Sequence, residues 1–69
     1  MGESVYKVVE LVGTSEKSWE QAAKNAVEEA AKTLKNLRVA EVKELDMKVE
    51  DGKVTAYRAK VTLSFKYES

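Results

Sequence analysis

An Asp-Gly pair in the second half of the chain constrains the fold more than any other feature. Asp51-Gly52 separates two long, proline-free segments, from about Arg38 to Glu50 and from about Lys53 to Tyr67. An Asp-Gly pair between two such segments is typical of a two-residue type I′ hairpin turn. The sequence therefore predicts two long antiparallel strands that meet at this turn.

The turn also determines the register of the two strands. With Glu50 opposite Lys53, an uninterrupted ladder assigns a partner to each residue, and opposed residues share a face. The face expected to meet a helix carries Tyr57, Ala59, Val61, Leu63, Phe65 and Tyr67. The opposite face carries Val39, Leu45, Met47, Val49, Val54 and Ala56. A contiguous apolar set rimmed by charge marks an interface or a ligand site.

A β-bulge is the alternative to this uninterrupted ladder. An extra residue near Lys43–Glu44 turns the three apolar residues of the segment Leu45–Val49 toward the helix. The two registers place the same side chains on opposite faces of the sheet, and we adopt the uninterrupted ladder as the prediction.

The segment before the hairpin predicts one strand and one helix. Val5–Val12 is rich in β-branched residues, and Gly13-Thr14-Ser15 is expected to end this strand. Ser18 opens a Ser-x-x-Gln capping pattern, and apolar residues then recur at helical spacing over Trp19–Asn36. A right-handed crossover and a regular third strand favour the order 1-3-2. The predicted fold class is α+β, a β-α-β-β chain whose three-stranded antiparallel sheet curls around one amphipathic helix.

Length and composition limit how this fold can be stabilised. The 69 residues form one domain, 1–69, and a chain this short buries only about 60% of its unfolded surface. The absence of cysteine and histidine excludes disulfides, thiolate zinc sites and imidazole ligands. Association with further copies of the chain is the remaining way to stabilise so small a domain, so we expect a homo-oligomer.

The same composition excludes several classes of function. Lys and Arg total 12 and Asp and Glu total 12, unlike the basic surface of a nucleic-acid-binding protein. No segment approaches the roughly 18 apolar residues of a membrane span. We therefore expect a cytoplasmic protein with neither nucleic acid nor membrane as partner. No nucleophile lies beside a base and no glycine-rich phosphate loop is present, which argues against an enzyme.

Several stretches resemble the dodecins, a family of small β-α-β-β proteins. The resemblance starts with Val-Tyr-Lys-Val-Val-Glu-Leu-Val-Gly-Thr-Ser at Val5–Ser15, includes Leu37–Val42 and the Asp51-Gly52 hairpin, and ends with Ser64–Glu68. It covers essentially the whole chain. It implies a hollow dodecamer of 23 symmetry that, in many members, stores flavins.

The flavin site of the family is altered in this sequence. The resemblance implies that flavin rings stack between tryptophans and that a glutamine on the third strand binds the ring edge. Val39 and Arg58 occupy these two positions. Val39 has no π face, and base–aromatic stacking contributes about 1–3 kcal/mol per base. We expect family-type flavin binding to be weakened or lost, and predict pocket positions at Val39, Leu45, Met47 and Arg58.

Other stretches resemble the flavin-less branch described as calcium dodecins, among them Ser18–Ala23, Arg38-Val39-Ala40 and Asp46-Met47. That resemblance implies a calcium ion in the assembled shell. Calcium takes six to eight oxygen ligands, and no single-chain loop of EF-hand spacing is present, so ligands must come from neighbouring subunits, carbonyls or water. The candidate carboxylates are Glu10, Glu41 and Asp46, followed by Glu44 and Glu50.

We therefore expect a non-catalytic protein that binds or stores a small molecule or ion in a shell of 12 copies. One alternative is a flavin-binding dodecin with an atypical pocket. The other is a purely structural or interaction oligomer, in which the apolar patch contacts other copies or a different protein.

Overall fold

A computed structural model describes residues 4–67, which form three strands and one helix. β1 spans Tyr6–Ser15, α1 spans Trp19–Ala31, β2 spans Leu37–Glu50 and β3 spans Lys53–Lys66. Both outer strands pair antiparallel with β3, in the order β1-β3-β2. The predicted fold and the central position of the third strand are confirmed.

The described residues leave out both ends of the predicted domain, residues 1–3 and 68–69. Glu68, the last residue of the family resemblance, is among those left out. Within residues 4–67, α1 is too short and too polar to cross a bilayer.

The hairpin turn has the predicted geometry. Asp51 and Gly52 have φ angles of 52° and 75°, and a type I′ turn requires positive φ at both central residues. Glu50 pairs with Lys53 on either side of the turn. The local chemistry of the Asp-Gly pair therefore joins β2 to β3 as expected.

The N-terminus of α1 begins with the predicted cap. Ser18 is extended, and its hydroxyl accepts a hydrogen bond of 3.0 Å from the backbone N–H of Gln21. The Gln21 side chain donates to Asn25 at 2.7 Å, and Asn25 in turn donates to the Thr14 carbonyl at 2.9 Å. The first turn of the helix is thereby tied to the end of β1.

The helix is shorter than predicted. It ends at Ala31, whereas the periodicity predicted an end at Asn36. Asn36 has the expected left-handed backbone, with φ 65°, but its carbonyl accepts a hydrogen bond from the Lys66 N–H at 3.1 Å. Asn36 is therefore hydrogen-bonded to the end of β3 just before β2 begins. The residues between Ala31 and Asn36 connect the end of the helix to this point.

The first strand is longer than predicted. Gly13, Thr14 and Ser15 continue β1 and pair with β3, so the prediction that they end the strand was wrong. A Cβ built on Gly13 lies 2.0 Å from the Ala22 carbonyl oxygen, a distance that no side chain tolerates. This glycine does not break the strand; it lets α1 lie directly on it.

The core lies between α1 and the strands β1 and β3. Its buried members are Ala22, Ala26, Ala30, Ala59, Val61 and Leu63. Their small size brings the helix close to the sheet. α1 has little contact with β2, and all of β2 beyond Leu37 is exposed. We refer to the side of the sheet that carries α1 as the inner face and to the other side as the outer face.

The register contains the bulge that was the alternative to the predicted ladder. Ala40 pairs with Leu63 and Val42 with Val61, as the uninterrupted ladder predicts, but the register shifts at Lys43. Leu45 then lies opposite Ala59 and Met47 opposite Tyr57. Because Ala59 is a core residue, the bulge turns Leu45 and Met47 to the inner face. The prediction that they lie on the face away from the helix was wrong, and the bulged alternative is confirmed.

A second irregularity restores the register near the turn. Lys48 pairs with Ala56 and Val49 with Val54, which leaves Thr55 as the extra residue on β3. The alternation of β2 continues through this point, so Val49 shares the inner face with Met47, and its partner Val54 lies beside it. Of the predicted outer-face set, Val39 and Ala56 keep that position.

We expect Gly13→Ala to destabilise the protein by about 1–3 kcal/mol, the usual cost of forcing an extra carbon into a packed core. Gly52→Ala is the matched control, because its Cβ meets no atom within 4 Å and only the positive φ disfavours alanine. Its cost should be about 1 kcal/mol. Denaturant unfolding at one protein concentration measures both. Equal losses of unfolding free energy in the two variants would show that α1 can move away from β1 freely.

Candidate functional site

The outer face carries polar side chains along the centre of the sheet. Arg58, Lys60 and Thr62 alternate along β3, and carboxylates of the neighbouring strands lie opposite them. Val39 lies on this face opposite Ser64. Ser64 and Arg58 are six residues apart along β3, so Val39 and Arg58 are separated by about 20 Å at 3.3 Å per residue.

The four predicted pocket residues are therefore not gathered in one place. Val39 and Arg58 lie on the outer face but at different levels, and Leu45 and Met47 lie on the inner face. Their role in ligand binding stays a prediction. A pocket that includes both Val39 and Arg58 cannot be built from one chain.

Arg58 is held by Asp46, its partner across the sheet. Its Nε donates to Asp46 Oδ1 at 2.7 Å and its Nη2 donates to Oδ2 at 3.0 Å, a bidentate geometry that restricts the guanidinium group. The hydrogen bonds from Arg58 lower the pKa of Asp46, and the same contacts raise the pKa of Arg58. Both side chains are about half exposed, so water and salt screen the pair.

The inner face also holds Asp46 in place, through its backbone. The Trp19 indole N–H donates to the Asp46 carbonyl at 3.0 Å. The Trp19 ring contacts Tyr57 edge-on, with centroids 5.1 Å apart. The first residue of α1 thus fixes the segment just beyond the bulge, and Asp46 links this contact to Arg58 on the other side of the sheet.

The Asp46–Arg58 pair was missed by the sequence reasoning, because the uninterrupted ladder puts Leu45 opposite Arg58. One signal could have found it. That ladder also places Lys43 opposite Lys60, and like charges directly opposite each other are destabilising. The bulged register replaces this clash with Glu44 opposite Lys60, whose charged atoms are 3.5 Å apart.

The three candidate metal ligands are only partly brought together. Glu10 of β1 and Glu41 of β2 both pair with Thr62, so their Cα atoms are about 10 Å apart, two strand spacings. Asp46 lies four residues farther along the sheet, about 13 Å away, and is bound by Arg58. Within residues 4–67, no group of three or more acidic residues could hold a metal ion. One chain alone therefore does not fit the six to eight oxygen ligands of calcium.

The inner face carries an exposed apolar surface beside the helix. A groove of about 530 Å³ lies between α1 and β2 and is lined by Trp19, Glu20, Ala23, Val42 and Leu45. It exists because α1 covers β1 and β3 and leaves the inner side of β2 open. Beyond the groove, the same face continues to the hairpin tip through Met47, Val49 and Val54, all of them exposed.

Comparison with protein families identifies the fold. The dodecin family model matches residues 5–68. The chain belongs to the dodecin family. This confirms the resemblance that the sequence alone suggested.

Named dodecins are similar over most of their length. The calcium dodecin of Mycobacterium tuberculosis is 53% identical over 64 residues, which cover 91% of this chain and 89% of that protein. That protein is a calcium-chelating antigen, and its crystal structure contains a novel calcium-binding site. It has a TM-score of 0.83 and 50% identity, and the match covers 94% of this chain and 93% of that one. Dodecin from Streptomyces coelicolor has a TM-score of 0.92 and 38% identity, covering 100% and 99% of the two chains.

The Asp46–Arg58 pair makes a specific prediction about pH. Because the folded pKa of Asp46 is lowered from its ordinary value of 3.8, the pair contributes its full stability above pH 3.8. That contribution is lost as the pH falls through the folded pKa below this value. We expect Arg58→Gln to raise the pKa of Asp46 toward 3.8, as measured by NMR titration of its carboxyl carbon.

Lys53→Gln is the control for this titration. Lys53 lies on the same hairpin next to the turn, and its substitution removes one positive charge that does not contact Asp46. It should leave the Asp46 titration nearly unchanged. An equal shift in both variants would mean that general charge, and not the bidentate contact, sets the pKa of Asp46.

Proposed function

We propose that this chain, acting as a single domain, assembles into a hollow dodecamer that binds or stores a small molecule or ion without catalysing a reaction. One observation carries the proposal. The family pocket positions Val39 and Arg58 share a face but lie about 20 Å apart in one chain, so a pocket that uses both needs more than one copy. Dodecins are homo-oligomers, which supports association as the means of completing the site.

The small core supports the same proposal. Among residues 4–67, the buried apolar core has six members, and four of them are alanines. Several large apolar side chains remain exposed on both faces, including Val8 and Val39 on the outer face and Leu45 and Val49 on the inner face. Since burial of apolar area is the main source of stability, contacts between copies supply what one chain lacks.

The assembly is tested by mass. Multi-angle light scattering of the purified protein should give about twelve times the chain mass of 7.7 kDa, as the family symmetry implies. A mass near that of one chain, at the micromolar concentrations used for binding, would exclude the shell.

Flavin is the first ligand to consider, and we propose that its binding is weakened. Val39 offers no ring to stack on. Arg58 already donates two hydrogen bonds to Asp46, so it has fewer donors left for a ring edge. A flavin-binding dodecin with an atypical pocket is the alternative, and tight binding of riboflavin by the unmodified protein would favour it.

Restoring the two family residues should restore flavin binding. We expect Val39→Trp combined with Arg58→Gln to bind riboflavin at least about fivefold more tightly than the unmodified protein, because stacking contributes about 1–3 kcal/mol per base. Quenching of riboflavin fluorescence measures the affinity. Arg58→Gln alone is the control for the lost charge. No gain in the double variant would show that these positions do not form the pocket.

Calcium is the second ligand, and the calcium dodecin relative supports it. We propose that calcium binds where the Glu10–Glu41 rows of neighbouring copies meet, because a single row provides two carboxylates and one hydroxyl, from Thr62. Asp46 serves less well as a ligand, since Arg58 occupies both of its carboxylate oxygens.

Removing one of these carboxylates should weaken calcium binding by the assembled protein. We expect Glu41→Gln to lower the calcium affinity in isothermal titration calorimetry, because each carboxylate adds charge that calcium sites depend on. Glu28→Gln is the control, as Glu28 lies on the exposed side of α1. Equal affinities in both variants would place the ion elsewhere. A lack of calcium and flavin binding in an intact shell would leave the purely structural oligomer.

A further inference from the structure

Arg58 and Lys60 are neighbouring cations on the outer face, and each has a carboxylate partner in the same chain. Lys60 Nζ lies 3.5 Å from a Glu44 oxygen in a single contact, and exposed pairs of this kind contribute little. Arg58 binds both oxygens of Asp46, at 2.7 Å and 3.0 Å, which makes this the stronger contact. The charge of Arg58 is therefore already neutralised before any ligand arrives.

The Asp46 carboxylate lies close to both cations. Lys60 is the next residue of β3 on the same face as Arg58, about 7 Å farther along the strand. The pKa of Asp46 is lowered by the hydrogen bonds and the charge of Arg58 and, to a smaller extent, by the charge of Lys60. Two cations that act on one carboxylate form an anion site, and the chain fills this site with its own side chain.

The backbone holds Asp46 where it can compete with any free anion. The bulge at Lys43 places it opposite Arg58, and the Trp19 indole N–H binds its carbonyl at 3.0 Å. A group that is tethered in this way acts at an effective concentration on the order of millimolar or higher, and it loses little freedom on binding because its position is already fixed. A free anion has to displace it from Arg58.

We infer that Asp46 is a specificity-determining residue, which occupies the anion site formed by Arg58 and Lys60 and so excludes phosphate and other small anions from the outer face. Without Asp46, Arg58 would present a planar fork that matches phosphate geometry, with a lysine beside it. The inference rests on the proposed binding role of this face and names the class of ligand that the face rejects.

The ion pair still leaves Arg58 able to bind a neutral ligand. A guanidinium group carries five N–H donors, and Asp46 accepts from two of the nitrogens, Nε and Nη2. Asp46 does not accept from Nη1, so a carbonyl group of an uncharged ligand can bind there without displacing the carboxylate. This position therefore favours uncharged ligands with carbonyl acceptors over phosphorylated ones.

Asp46→Asn tests the inference, because it keeps the shape of the side chain and removes its charge. We expect inorganic phosphate to bind this variant at least about fivefold more tightly than the unmodified protein, since a unit charge at about 4 Å changes the affinity by that factor even in water. Isothermal titration calorimetry in a phosphate-free buffer at fixed ionic strength measures both affinities. Trp19 emission checks that the segment after the bulge stays in place.

Two further variants show whether the gain in phosphate affinity belongs to this site. Glu29→Gln is the matched control, because Glu29 also pairs with a cation, Lys32 at 3.1 Å, but lies on α1. It should leave phosphate binding unchanged. Asp46→Asn combined with Arg58→Gln should lose the gain. An equal gain in Glu29→Gln, or a gain that persists without Arg58, overturns the inference.

The unmodified protein provides a second measurement, which decides the question even if Asp46→Asn fails to fold. The Arg58 Nε–H, bound to Asp46 at 2.7 Å, gives its own signal in a proton–nitrogen NMR spectrum. Added phosphate should leave this signal in place, and sodium chloride at the same ionic strength is the control. A shift that saturates with phosphate, and that chloride does not produce, shows that phosphate displaces Asp46 and overturns the inference.

The outcomes separate this inference from the proposed function. A protein that binds neither flavin nor calcium contradicts the proposed function, and the phosphate titrations still decide the inference. Phosphate binding by the unmodified protein that is as tight as binding by Asp46→Asn overturns the inference, while the proposed binding of flavin or calcium is unaffected.

Discussion

The β-bulge at Lys43 is the feature on which most of the remaining structure depends. One extra residue turns Leu45 and Met47 to the side of the helix and brings Asp46 opposite Arg58. Because side chains alternate along a strand, this one shift gives the part of the hairpin between the bulge and the turn an apolar inner face and an ion-paired outer face. Without the shift, apolar and charged side chains would be mixed on the outer face and Lys43 would face Lys60.

The close approach of α1 to β1 and β3 leaves the inner side of β2 uncovered. Gly13 and the alanines of the helix let backbone meet backbone, which produces a dense but small core. A helix that lies so close covers little of the sheet to its side, so the inner side of β2 stays open. The same packing that makes the core possible therefore creates the groove.

The candidate site could be predicted only in part. The family resemblance identified Val39 and Arg58, and their common face follows from alternation along the strands. Their separation by about 20 Å depends on where each pairs with β3 and was not considered from the sequence. The hydrogen bonds that hold Arg58 were missed for a simpler reason, because they exist only in the bulged register.

The sequence by itself determined the features that arise from local chemistry. The Asp51-Gly52 turn needs residues that accept positive φ, the Ser18 cap needs a hydroxyl before the helix, and the regular alternation of β3 indicates a central strand. The tertiary structure decided the end of α1, the extension of β1 and the face that Leu45 presents. Each of these is set by contact between segments distant in sequence: Asn36 with Lys66, Gly13 with Ala22, and β2 with β3 past Lys43. Such contacts compete with local preference, and only the folded chain shows which prevails.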